Sequence, residues 1–147
     1  MADIVREATA VWQGTLQEGK GTTSTGSGAL REAAYSFPSR FETGRGTNPE
    51  ELMASAHASC FSMALSMVLG QQGHDPEEIR TRAQLTLVKT GDGFRISKVH
   101  LDTRGRVPNI SDDDFQAAAE AAKENCPVSL LLKPGLDELT LEAGLES

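Results

Sequence analysis

The sequence is poor in the features that specialised partners or compartments demand. Only two of its 147 residues are cysteine, and Trp and Tyr occur once each. Two thiols do not make the disulfide framework of a small secreted domain, and in a reducing compartment a permanent bridge is uncommon. They are either small buried hydrophobes or working groups. No run of about eighteen consecutive apolar residues is present, so no transmembrane helix is expected. The N-terminal MADIVREATA has no basic segment followed by an apolar one, so it does not read as a secretory signal, and a cytoplasmic location is the expectation. Lys and Arg nowhere cluster, and 21 acids against 14 bases leave a formal net charge of −7. Such a field repels a phosphate backbone and gives no attraction to an anionic bilayer, so neither nucleic acid nor membrane is an expected partner. There is no internal repeat, domain-scale linker or block of five like charges. One domain spanning 1–147 is the simplest organisation.

What is present is a patterned α+β chain. Residues 7–14, 21–25 and 29–37 read as an antiparallel meander, with Thr in the strands and Gly-Ser-Gly suited to a tight turn. Thr47-Asn48-Pro49-Glu50-Glu51 then opens a helix: Asn48 caps it, Pro49 suits its first position, and the two acids favour its positive end. From Leu52 to Leu69 this helix is apolar on nearly every side, interrupted only by serines and His57. A helix without a charged face is buried on most sides. A chain this short can hardly wrap it alone, so a partner subunit is the simplest extra cover. Gly70 and Gly73 end it.

Residues 79–88 alternate, with Ile79, Thr81, Ala83, Leu85 and Leu87 on one face. Thr90-Gly91-Asp92-Gly93 turns the chain, and a return strand runs over 94–103. Its apolar phase slips between Ile96 and Val99, which predicts a bulge. Ser111, with Asp114 three residues on, starts a helix to about residue 124. Cys126-Pro127 starts a short helical segment through Leu132, and residues 139–143 alternate as a last strand. Strand blocks separated by helices indicate an α+β fold with antiparallel sheets around a long, buried central helix.

The two cysteines sit in different settings. Cys60 lies mid-helix among apolar residues, where burial alone would leave it inert; a reactive thiolate there needs a nearby cation. Arg40 and Arg45, in the segment before the helix, are the candidates. Cys126 precedes Pro127 at a helix start, where unpaired N–H groups favour a thiolate. His57 and Cys60 are three residues apart on one helix face. That spacing permits a Cys–His nucleophile, as in a hydrolase or acyl transferase, and also permits a merely packed histidine. His74 and His100, the other histidines, fall in no ligand-spacing motif, so no metal is expected. Residues 14–20, GTLQEGK, come close to a phosphate loop, but Gly21 stands where Ser or Thr is required.

The stretches TNPEELMASAHASCFSMAL (47–65) and NCPVSLLLK (125–133) resemble the two cysteine motifs of the OsmC/Ohr family. SRFETGRGTNPEE (39–51) and VWQGTLQEGKGTTSTGSG (11–28) are similar to its OsmC branch, and the likeness covers nearly the whole chain. The resemblance implies an intertwined homodimer with two interfacial sites and no cofactor, reducing organic hydroperoxides with electrons from a dithiol such as a lipoylated protein. It further implies that Cys60 is the peroxidatic cysteine, Cys126 the resolving one, Arg40 the thiolate-holding arginine and Glu50 the active-site acid. Helix geometry adds a constraint of its own. Ten residues of helix rise roughly 15 Å, so Glu50 and Cys60 of one chain do not share one arginine, and Arg40 with Glu50 is expected to serve the thiols of the other subunit. Met53, Phe61 and Met63 are candidate pocket residues for an alkyl or aryl tail. The competing readings are a Cys60/His57 hydrolase or acyl transferase, and a non-catalytic redox-sensing dimer.

Overall fold

The computed structural model describes residues 1–147. The chain divides into two compact units, 1–52 and 53–147. In the first, strands β1 (Ala8–Gln13), β2 (Lys20–Thr25) and β3 (Ala33–Tyr35) form an antiparallel meander. Gly21 pairs with Trp12 on one side and Tyr35 on the other. The two rings lie with centroids 5.5 Å apart. A β-carbon at Gly21 would fall 2.6 Å from Tyr35 Cε1 and 2.7 Å from Trp12 Cε3, so only glycine lets the rings close over the strand.

The strand expected over 29–37 is shorter than its pattern, because a helical turn, α1 (Phe37–Phe41), takes over its end. Ser36 is the reason. Its hydroxyl accepts from the Ser39 N–H, and the Ser39 hydroxyl accepts in return from the Ser36 N–H, forming a reciprocal cap with Pro38 in the first turn. The Ser39 hydroxyl also donates to the Thr47 carbonyl at 2.7 Å, which ties the turn to the start of the next helix.

That helix, α2 (Pro49–Gln71), is capped as the sequence predicts: Asn48 Oδ1 accepts from the Glu51 N–H at 2.7 Å, while Asn48 Nδ2 donates to the Ser39 carbonyl. At its other end the His74 N–H reaches the Leu69 carbonyl and the Gly73 N–H reaches that of Gly70. Gly73 sits at φ +83°, so this is a Schellman ending. The unit boundary falls inside α2, after its first turn.

In the second unit, β4 (Glu78–Thr90) and β5 (Gly93–Arg106) form a long antiparallel hairpin closed by Gly91-Asp92. The pairing slips where Thr86 faces Lys98 but Leu87 faces Ile96, leaving Ser97 as the extra residue of a bulge. This is where the apolar phase of the sequence slips. Helix α3 (Asp112–Asn125), capped by Ser111, leads through Cys126 into α4 (Pro127–Leu132). A 3-10 turn follows, and β6 (Glu138–Leu145) completes the sheet. One pairing differs from expectation. β6 runs parallel to β5, because α3 and α4 carry the chain back to the start of the sheet before it re-enters.

The core of this unit joins Phe61, Leu65 and Leu69 of α2, Val99 and Leu101 of β5, and Phe115, Ala118, Ala119 and Ala122 of α3. Ser62 also donates to the Thr81 hydroxyl at 2.8 Å, pinning α2 to β4. The spacing 57, 61, 65, 69 defines the one stripe of α2 that its own chain fully buries. Met63 and Met67, on other faces, are 76% and 60% exposed. The expectation of burial on most sides is therefore met only in part within one chain. A second expectation needs correction. With mean hydropathy 1.5, α2 is long and apolar enough by length and composition to cross a membrane. The interrupting Ser and His residues are too small or too weakly polar to offset its Leu, Met and Ala. The buried stripe facing the core of 53–147 is what the structure makes of that apolarity.

Candidate functional site

Four of the residues singled out by sequence lie in two local constellations, one in each unit. In 1–52, Arg40 at the end of α1 donates from Nε to Glu50 Oε1 at 2.8 Å. Glu50 is buried, and its second oxygen has no partner. The pair is single-pronged rather than the fork a guanidinium can make, which leaves the terminal nitrogens of Arg40 uncommitted to Glu50. The guanidinium also lies 5.2 Å from the Phe41 ring centroid. A cation over an aromatic ring at this distance is attracted to its face. Arg45, the other candidate cation, is exposed on the following loop.

In 53–147 the two cysteines meet. Cys126, fully buried, is at once the C-cap of α3 and the N-cap of α4. Pro127 starts α4, and the Ser129 N–H donates to Cys126 Sγ at 3.3 Å. Cys60, half-buried on α2, lies near enough to the Cys126 sulfur and the Val128 backbone for both to bear on its ionisation. Neither thiol is bridged. Burial pushes the Cys60 thiol above its ordinary value, the Val128 N–H pulls it back, and the neighbouring Cys126 sulfur pushes it up again. No positive charge is among the groups that set it.

His57 does not pair with Cys60. Its Nε2 is 2.8 Å from the Ser129 hydroxyl, and its Nδ1 is buried without a partner. Burial lowers its pKa from the ordinary value, so the ring is neutral near neutral pH. The Ser129 hydroxyl is also 3.1 Å from Cys126 Sγ. Sequence reading missed Ser129. The available signal was its position three residues after a capping Cys, where a cap's partner N–H falls. His100 Nδ1 lies 2.7 Å from the Thr140 hydroxyl across β5 and β6. The proposed pocket residues do not converge within a chain. Phe61 is wholly in the core, Met63 is exposed, and Met53 is half-buried. Phe61 and Met63 are two residues apart on a helix and point to different sides.

Two adjoining, unbridged thiols at the meeting of a central helix and a helix cap define an α+β protein with a paired-thiol site. The sequence profile described as OsmC-like protein matches residues 42–137, and the chain belongs to the OsmC family. It is 46% identical over 144 residues to Peroxiredoxin OsmC of Escherichia coli (strain K12), covering 98% of this chain and 99% of that protein. The crystal structure of the organic hydroperoxide resistance protein OhrB of Bacillus subtilis matches with a TM-score of 0.71 at 27% identity, over 92% of this chain and 98% of that one. An OsmC-like protein from Mycoplasma pneumoniae matches with a TM-score of 0.75 at 15% identity, over 99% and 100% of the two chains, a likeness of fold.

Proposed function

We propose that this chain is a thiol-dependent peroxidase that reduces organic hydroperoxides to alcohols in the cytoplasm, using Cys60 and Cys126 and no cofactor. The observation that carries the reading is the approach of the two unbridged sulfurs. The Cys60 thiolate attacks the distal peroxide oxygen. The O–O bond breaks, the alkoxide takes a proton to leave as the alcohol, and Cys60 becomes a sulfenic acid. Cys126 attacks that sulfur, water is lost, and a Cys60–Cys126 disulfide forms. A dithiol, such as a dihydrolipoyl group on a protein, reopens it by exchange.

The missing cation is Arg40, held by Glu50. Ten residues of helix separate Glu50 from Cys60, so the arginine is supplied by the second subunit of an intertwined homodimer. The unoccupied apolar face of α2, with Met63 and Met67, supports such a dimer.

The test is turnover of cumene hydroperoxide against hydrogen peroxide, with dihydrolipoamide, dithiothreitol and thioredoxin as donors. The organic peroxide is expected to be preferred. Cys60→Ser is expected to abolish turnover, and Cys126→Ser to leave one stoichiometric oxidation without efficient dithiol recycling. Equal activity in all three proteins ends the proposal.

A further inference from the structure

A buried file of polar atoms leads away from the resolving thiol: Cys126 Sγ, then Ser129 Oγ at 3.1 Å, then His57 Nε2 at 2.8 Å. All three residues are sealed from water, with Cys126 1% exposed and the other two not at all. Nothing in the peroxide-reducing step uses Ser129 or His57. A buried histidine with one nitrogen on a serine and the other unpartnered is a costly arrangement for packing alone. The chemistry of the disulfide step supplies a use. Cys126 starts that step as a thiol and ends it as a sulfur that has lost its proton, in a place where solvent does not reach.

We propose that Ser129 and His57 form the proton relay of the resolving cysteine, with Ser129 as a catalytic residue touching the reacting sulfur and His57 as a positioning residue and base acting through it. The step balances as follows. The Cys126 sulfur gives its S–H electron pair to the new S–S bond. Its proton passes to Ser129 Oγ as the serine proton passes to His57 Nε2. The S–O bond of the Cys60 sulfenic acid breaks, and the oxygen departs with that electron pair as hydroxide. The proton then returns from His57 through Ser129 to the hydroxide released beside the two sulfurs, leaving one water and neutral His57. The net change is thiol plus sulfenic acid to disulfide plus water. Burial keeps His57 neutral before the step, with Nε2 open to the serine proton, and makes the imidazolium short-lived, so the proton is passed on rather than held. The Ser129 N–H, 3.3 Å from Cys126 Sγ, steadies the sulfur as negative charge develops on it.

This inference rests on the peroxidase reading, and one experiment separates their failures. Reduced full-length protein is mixed with one equivalent of cumene hydroperoxide and quenched over time, and the sulfenic acid and the disulfide are resolved by intact mass. The variants are Ser129→Ala and His57→Gln; the glutamine keeps an acceptor for the serine but has no basic nitrogen. The expected result is Cys60 oxidation within about twofold of wild type in both, with disulfide formation slowed about 100-fold and the sulfenic acid accumulating. Disulfide formation at the wild-type rate in both variants overturns the relay. So does a parallel collapse of both steps in His57→Gln, which assigns that residue to structure alone. If the wild-type protein itself forms no disulfide, the peroxidase reading has failed.

Discussion

Cys60 has to be ionised to attack a peroxide, and every contact within its own unit except the Val128 N–H works against that. The thiolate is the nucleophile, so the rate should climb with pH through the Cys60 pKa. A neighbouring opposite charge lowers such a pKa by about 1–3 pH units. Arg40→Met should therefore move the rise of the profile to higher pH by that amount and cost roughly 10- to 1000-fold at pH 7. A pH–rate series on the two proteins checks this; an unmoved profile removes Arg40 from the site. At this scale the two cysteines were legible from their settings, whereas Arg40 and Glu50, which do pair, were marked out only by the family resemblance. Ser129 was not. A serine in a short helix is common, and its meaning comes only from His57, which reaches it from 72 positions away.

The helical elements owe their limits to a few side chains. Asn48 satisfies the Glu51 N–H in the first turn of α2 through Oδ1 and grips the Ser39 carbonyl through Nδ2. Asn48→Ala removes both bonds and should cost about 1–2 kcal/mol, read as a lower midpoint in a urea unfolding curve with unchanged slope. Starts and stops of this kind are local, so α2, α3 and α4 were readable along the chain, as was the bulge at Ser97. The turn at Phe37–Phe41 was hidden because its apolar residues also continue the pattern of the preceding strand. The reciprocal Ser36–Ser39 cap decides the matter, and it involves two serines rather than the more telling Ser–Glu pair. The parallel pairing of β6 was not readable either. Alternation states which face of a strand is apolar but not which neighbour it joins, or in which direction.

For the whole molecule, the unfinished feature is α2. Its chain buries one stripe completely, yet Met63 and Met67 remain outside. If a second copy covers them and brings Arg40 to the thiols, replacing both by Glu should convert the protein to monomer in sedimentation and remove most peroxidase turnover. A monomer with full activity would show that each chain serves its own thiols. The placement of Phe61 in the core and Met63 outside also tells why the pocket was the least legible part of the site. A wholly apolar helix gives no clue to which side faces its own core.

The reading stands or falls on whether the two sulfurs become one bond when a hydroperoxide arrives. Reduced protein treated with one equivalent of cumene hydroperoxide, digested without reductant and mapped by mass, should yield the peptides of Cys60 and Cys126 joined within one chain, with both free thiols lost. Two thiols that still titrate freely after excess hydroperoxide would contradict it.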